Sequence, residues 1–339
     1  MTARNSHAAA FHQRLGKVTV FGGHNNGRRF SDLWGFDGGQ WIDDDPAPPA
    51  YAGSAMVFDR ARGTFVLFGG AVHSSYNGVQ GDQKSTWVYS ADDGWRMLRQ
   101  TRSPQPRSGA AFVYDEGRRE SVLFGGFISD GYGNPTYARD TWTWNGATWR
   151  TANAGATAPP KAGPMFYDPE VGKIVLVSVK TGTQDTGATW LWDGASWIET
   201  DIETPSFTTD AVYDKYRQVG VLRGWGHNLT WLWDGSQWNF AYEDDADELS
   251  GPAMIFDERA SAVFCYGGSS ISGSYSSAIS WEGSAWKNLG PQPPGRRGGA
   301  SIAFDPFAGH SILFGGLAHS YGGIYYEYHD DTWALSWVE

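Results

Sequence analysis

The chain has 339 residues and is rich in glycine (45) and in aromatic side chains, with 18 Trp, 16 Tyr and 18 Phe. Disordered chains contain few aromatic residues and helical bundles contain few interior glycines, so this composition excludes both classes and predicts an all-β protein. The formal net charge of -11 argues against a surface that binds nucleic acid, and no apolar run is long enough to span a membrane.

The N-terminal residues lack the apolar core of a secretory signal peptide. Cys265 is the single cysteine, so neither an internal disulfide nor a cysteine-based metal site can form. We therefore expect a cytoplasmic protein, or a secreted one from which a signal peptide has been removed. We also expect the protein to be a monomer.

An internal repeat of about 50 residues runs along the whole chain. In five of the repeats an apolar run ends in a glycine doublet, whereas the fourth and fifth repeats keep the run and lose the doublet. The first strand of most repeats ends in Phe-Asp or Tyr-Asp, and hairpin turns such as Asp193-Gly194 follow later in the repeat. The pattern predicts four short strands in each of seven units, which close at Trp41, Trp95, Trp149, Trp197, Trp238, Trp286 and Trp337.

The glycine doublets and the spacing of the tryptophans resemble the kelch repeat, in which six residues separate an aromatic residue from a tryptophan. Trp34 and Trp41 keep this spacing, as do Trp142 and Trp149. The resemblance implies an all-β fold, a single seven-bladed kelch-type β-propeller of four-stranded antiparallel blades, each blade contiguous in sequence. The blades are expected at 1–47, 48–103, 104–158, 159–204, 205–249, 250–292 and 293–339. Because no strand is left over, we expect packing alone to join the last blade to the first.

Histidines concentrate at one end of the predicted blades, the end at which the strand 2–3 loops and the links between blades emerge. We call this end the top. Six of the eight histidines lie there, and neutral imidazoles on adjacent blades could hold a transition metal, Zn or Fe before Cu or Ni, with Asp130, Asp210, Asp331 or Glu327 as a carboxylate partner. A structural or solvent-facing role is equally consistent, because no HExxH spacing is present. The candidate metal ligands are His7, His24, His73, His227, His319 and His329.

Arginines and tyrosines at the top supply further candidate groups. Arg107 and Arg297 stand at the starts of first strands, where they could stabilise developing negative charge or simply pair with acidic neighbours. Tyr321 and Tyr326 could line a pocket, and together with other loop tyrosines, among them Tyr137, they offer stacking surfaces for a sugar, an aromatic ligand or a peptide.

Two functions of different classes follow from these residues. The first is a metal-dependent hydrolase of a small ester-like or lactone-like substrate, in which the metal lowers the pKa of a bound water. The alternative is a non-catalytic kelch binding module for a glycan or a protein partner. A third option, a glycan-processing role similar to the sialic acid epimerase members of the kelch family, rests on the fold resemblance alone.

Overall fold

The computed structural model describes residues 1–12, 15–25, 28–43, 53–70, 85–90, 92–129, 135–152, 158–179, 187–204, 208–224, 229–243, 252–270, 273–274, 277–291, 295–305, 309–319 and 326–335. Within these ranges every regular element is a β-strand, and none contains a helix that could cross a membrane. The antiparallel sheets are the blades of a seven-bladed β-propeller, which confirms the fold class predicted from the repeats.

Residues His7–Asp201 form one compact unit. Blade 1 contains β1 (Ala8–His12), β2 (Lys17–Phe21), β5 (Leu33–Phe36) and β6 (Trp41–Asp43), and blade 2 contains β7 (Ala55–Asp59), β8 (Thr64–Phe68), β9 (Thr86–Ser90) and β10 (Gly94–Leu98). Blade 3 contains β11 (Ala111–Asp115), β12 (Glu120–Phe124), β15 (Thr141–Trp144) and β16 (Trp149–Ala152), and blade 4 contains β17 (Met165–Asp168), β18 (Lys173–Val179), β19 (Gly187–Trp192) and β20 (Trp197–Thr204).

Residues Met1–Ser6 and Ile202–Glu339 form the other unit. Blade 5 contains β21 (Thr208–Asp214), β22 (Val219–Gly224), β23 (Thr230–Trp233) and β24 (Trp238–Tyr242), and blade 6 contains β25 (Ala253–Asp257), β26 (Ala262–Tyr266), β29 (Ser277–Trp281) and β30 (Trp286–Pro291). Three strands of blade 7 are described, namely β31 (Ser301–Asp305), β32 (His310–Phe314) and β35 (Thr332–Leu335). The predicted fourth strand of blade 7, at 336–339, and its Trp337 lie outside the described residues.

The strand 2–3 loops of four blades fold into short two-stranded ribbons at the top. They are β3 (His24–Asn25) with β4 (Arg28–Arg29), β13 (Phe127–Ser129) with β14 (Pro135–Tyr137), β27 (Ser269–Ser270) with β28 (Gly273–Ser274), and β33 (Leu317–His319) with β34 (Tyr326–Tyr328).

The second strand of each blade forms much of the core, because it is buried on both faces. Val122, Leu123 and Phe124 show this in blade 3, and the continuous burial explains why these strands are unbroken apolar runs.

First strands of neighbouring blades contact one another, as β1, β7, β11 and β17 do in one unit and β21, β25 and β31 do in the other. The first strand is therefore the innermost strand of each blade.

The closing tryptophan joins its blade to the preceding one at a position farther from the centre of the propeller. Trp149 Nε1 donates to Thr86 Oγ1 at 2.6 Å, and its ring lies 5.4 Å from that of Phe68. Trp197 and Trp286 donate to Thr141 and Thr230 in the same way.

The aspartate that ends the first strand organises the turn at the bottom of the blade. Asp115 is fully buried, and its carboxylate accepts the backbone N–H of Arg118 at 2.9 Å and the guanidinium of the same residue at 2.9 Å. That guanidinium also donates to the carbonyl of Gly172 in blade 4 at 3.0 Å. Blades 2 and 5 repeat this arrangement with Asp59 and Arg62 and with Asp214 and Arg217.

In blade 1 a histidine replaces the turn aspartate. His12 pairs with Lys17 at the end of the first strand, is fully buried, and accepts the backbone N–H of Leu15 through Nδ1 at 3.2 Å. Aromatic rings of blade 2 surround it, including that of Phe65 with a centroid distance of 5.0 Å. The ring therefore belongs to the packed end of β1 and not to the turn that follows.

Candidate functional site

Arg107 is held inside the junction between blades 2 and 3. Its side chain is 1% exposed, and its guanidinium binds both carboxylate oxygens of Asp140, at 2.6 and 2.8 Å, and the carbonyl of Gly125 at 2.9 Å. Desolvation alone would raise the pKa of Asp140, but the hydrogen bonds and charge of Arg107 outweigh it and hold that pKa below the ordinary value. The bidentate geometry gives Arg107 a structural role.

The glycine doublet of blade 2 is explained by the same arginine. The N–H of Gly70 donates to the carbonyl of Arg107 at 2.7 Å, and Gly69 has a φ of 76°. A Cβ at Gly69 would lie 2.2 Å from the Arg107 carbonyl oxygen, so only glycine lets the two backbones approach.

Arg297 repeats the arrangement between blades 6 and 7. Its guanidinium binds Asp331 at 2.6 and 2.9 Å and the carbonyl of Gly315 at 2.8 Å, while its own carbonyl accepts the N–H of Gly268. The structure thus accounts for the burial of both arginines by their bonds to protein groups. Their assignment as catalytic groups stays a prediction.

The N-terminal segment attaches to blade 7 by backbone hydrogen bonds. Gly316 N–H donates to the Arg4 carbonyl at 2.9 Å, and Arg4 N–H donates to the His329 carbonyl at 3.1 Å. The first of these bonds repeats the one that Gly70 N–H makes to the Arg107 carbonyl in the link before blade 3. The expectation that packing alone joins the last blade to the first was therefore wrong. It overlooked the residues before the first strand, which form backbone hydrogen bonds to blade 7.

The candidate metal ligands are only partly within the described residues. His7 is buried, His24 is half-buried in β3, and His329 Nε2 lies 3.1 Å from the carbonyl of Arg296. His319 belongs to β33, but its side chain is not described, and His73 and His227 lie outside the described residues. Among the side chains that are described, no group of three or more His, Cys, Asp and Glu could hold a metal ion.

The Zn or Fe site stays a prediction, and the metal content of the purified protein tests it directly. If it exists, elemental analysis of the purified protein finds a stoichiometric transition metal, which His24→Ala or His319→Ala removes because imidazole is a principal ligand of these ions. His310→Ala, at the bottom of blade 7, is the matched control and leaves the content unchanged. Absence of any transition metal from protein purified without chelator would contradict the prediction.

The predicted tyrosines and carboxylates lie at several separate places in the structure. Tyr321 and Asp130 lie outside the described residues, and Tyr326 belongs to β34, although its side chain is not described. Glu327 is exposed on the same ribbon, and Asp331 is bound by Arg297. Asp210 stands on β21, the innermost strand of blade 5.

An exposed aromatic pair lies on the blade 3 ribbon. Phe127 and Tyr137 face each other across β13 and β14, are 40% and 55% exposed, and have ring centroids 4.9 Å apart at an interplanar angle of 42°. Phe127 exchanges two backbone hydrogen bonds with Ser108, at 2.8 and 3.1 Å, and its ring covers Gly109. The pair is therefore a fixed apolar platform next to the Arg107 junction. The sequence analysis named Tyr137 as a stacking residue but missed Phe127.

Comparisons with known proteins add information about the fold. Neither a protein-family model nor a curated protein matches this sequence. The fold is similar to a solved structure described as the structure of YjhT, with a TM-score of 0.54 and 12% identity over 98% of this chain and 94% of that chain. The likeness supports the propeller fold. It leaves the kelch resemblance a prediction, because an identity this low shows fold alone.

Proposed function

We propose that the protein is a binding module for a neutral carbohydrate, which stacks on Phe127 and Tyr137 at the top of blade 3. The observation that carries this proposal is the exposure of the two rings on a ribbon fixed to the blade. An aromatic face provides apolar area for the C–H face of a sugar ring, while the hydroxyl groups of the sugar remain in contact with water and polar neighbours.

The size of the platform favours a sugar over a protein partner. A specific protein–protein interface buries roughly 800 Å² on each partner, whereas two partly exposed rings offer room for one or two sugar units.

Rigidity of the pair supports binding without a large entropic cost. Backbone bonds to Ser108 hold Phe127 in place, and Phe127 in turn supports Tyr137. Aromatic side chains have only two rotatable bonds, so a preformed pair loses little freedom when a ligand binds.

The charge of the protein favours a neutral ligand. The net charge is -11, and Arg107, next to the ribbon, is bound by Asp140 and 1% exposed. A polyanionic glycan would meet repulsion that these rings do not offset.

We expect Tyr137→Ala and Phe127→Ala to weaken carbohydrate binding about tenfold each, because removal of a stacked ring costs roughly 1.4 kcal/mol. The measurement is isothermal titration calorimetry with cello-, xylo- and chito-oligosaccharides, at least one of which binds the wild type. Tyr216→Ala is the matched control, since Tyr216 is 71% exposed in a bottom turn of blade 5. Equal losses in all three variants, or no binding of any neutral oligosaccharide, would overturn the proposal.

A further inference from the structure

A depression of about 310 Å³ lies at the bottom of the junction between blades 2 and 3. Residues from the strand 1–2 turns of both blades and from the strand 3–4 turn of blade 3 form its wall. They are Ala61, Arg62, Arg118, Arg119, Glu120 and Asn145. Three arginines and one glutamate make this wall positive, although the chain as a whole has a net charge of -11.

Arg119 has a left-handed backbone conformation, with a φ of 57°, immediately before the second strand of blade 3. The equivalent residues of the other six blades also have positive φ, and they are Gly16, Gly63, Gly172, Gly309, Gln218 and Ser261. Glycine adopts this conformation without steric cost, whereas a residue with a Cβ is disfavoured. A charged side chain is thus kept here against the backbone preference, and such outliers concentrate at functional positions.

The hairpin turn of blade 3 has an amide where the same turn of other blades has a carboxylate. The backbone N–H of Asn145 donates to the carbonyl of Thr148, and the equivalent residues of four other blades are Asp37, Asp193, Asp234 and Glu282. Asn145 Oδ1 accepts the N–H groups of Ala147 and Thr148 at 3.0 and 2.9 Å. The NH2 group is therefore the part of this amide that can donate to a ligand.

Arg62 reaches the depression from blade 2. Its Nη1 donates to Asp59 at 2.6 Å and to the carbonyl of Arg119 at 3.2 Å, and its Nε lies against Gly146. In the equivalent arginines of blades 3 and 5 the second terminal nitrogen donates to the carbonyl of the facing hairpin turn. Among the described residues Arg62 forms no such bond with Asn145, so its Nη2 is available to a ligand.

The other charged groups of the wall leave these donors in place. The guanidinium of Arg118 is bound by the buried Asp115 and by carbonyls of blade 4. Arg119 is exposed and forms no ion pair within the part of the chain that the structure describes. Glu120 is the one carboxylate in the wall. Two guanidinium groups and an amide therefore share the depression with a single negative charge.

We propose that this depression binds a phosphate group, either as inorganic phosphate or at the end of a phosphate monoester. A tetrahedral oxyanion has enough acceptor oxygens for two guanidinium groups and one amide, and guanidinium groups match phosphate oxygens in bidentate pairs. The depression opens to solvent, so the rest of an ester stays outside it. The carbohydrate platform lies at the opposite end of blade 3, and either proposal can fail alone.

Sodium phosphate and phenyl phosphate are the probes. We follow the amide resonance of Ala147 by NMR as each probe replaces sodium chloride at constant ionic strength. Arg119→Gly introduces the residue of four other blades, and Asn145→Asp introduces the carboxylate of their hairpin turns, so both variants are expected to fold. Each should bind phosphate at least tenfold more weakly than the wild type, because the first loses a guanidinium and the second gains a negative charge. Binding of both probes assigns a monoester, and binding of inorganic phosphate alone assigns the free ion.

Ser261→Gly and Arg150→Ala are the matched controls. Ser261 has the same left-handed conformation in blade 6, with a φ of 50°, and Arg150 is an exposed arginine on β16. Neither substitution should change the affinity for phosphate. The proposal is wrong if neither probe has an effect beyond that of chloride, or if Arg119→Gly or Asn145→Asp binds as tightly as the wild type. It is also wrong if Arg150→Ala weakens binding as much as Arg119→Gly does.

Discussion

Arg107→Ala lowers the free energy of unfolding by about 3 kcal/mol, because the substitution removes a buried guanidinium that joins two blades. It leaves the carbonyl of Gly125 without its charged donor and Asp140 without its bidentate partner. Asp140 is partly exposed, so water takes over part of the lost interaction and the loss stays at the lower end of the range for buried pairs. Urea denaturation followed by tryptophan fluorescence measures the change.

The matched control is Arg96→Ala. Arg96 forms an exposed ion pair with Asp93 at 3.4 Å, and such pairs contribute roughly 0–1 kcal/mol. If Arg107→Ala were no more destabilising than Arg96→Ala, the structural role assigned to Arg107 would be wrong. A full loss of activity toward a substrate with unchanged stability would instead support the catalytic assignment.

Asp210→Asn stabilises the protein above neutral pH and has little effect near pH 4. The folded-state pKa of about 7 lies above the ordinary value of 3.8, so the folded protein disfavours the ionised form. The resulting penalty is absent below about pH 4, grows as the pH rises toward 7, and is complete above it. At about pH 8 the variant should gain roughly 2–4 kcal/mol, the upper figure being the full shift at 1.36 kcal/mol per pKa unit.

Urea denaturation between about pH 4 and pH 8.5 tests this prediction. Asp37→Asn serves as a control of opposite sign, since backbone hydrogen bonds from Gln40 and Gly39 lower the pKa of Asp37. That variant loses stability above about pH 4. A gain for Asp210→Asn that is the same at all pH values would show that its carboxyl does not titrate abnormally.

The strands and the blade order could be predicted from sequence because they depend on local patterns. Apolar runs, turn dipeptides and closing tryptophans recur in each repeat, and each is set by residues close in the chain. Long-range pairs could not be found in the same way. Arg107 and Asp140 are 33 positions apart, and a buried arginine at the top looks the same in sequence whether it binds a substrate or a neighbouring loop.

Two further features of the sequence become visible when the seven repeats are aligned with one another. Asp140 and Asp331 each precede a third-strand tryptophan by two residues, in blades whose first strand is preceded by Arg107 or Arg297. This pairing within a blade indicates an ion pair rather than a substrate site. Alignment of the first strands would likewise have separated Asp210 from the other predicted carboxylates, because only its blade has a charge at that position.

Amide hydrogen exchange with and without the tightest-binding oligosaccharide tests the carbohydrate proposal most directly. We expect slower exchange in β13 and β14 of blade 3, where Phe127 and Tyr137 form the platform. The blade 7 ribbon of β33 and β34 should be unchanged, because Leu317 and the half-buried Tyr328 occupy the equivalent cross-strand positions there. Protection that appears elsewhere and leaves β13 and β14 unchanged would contradict the account.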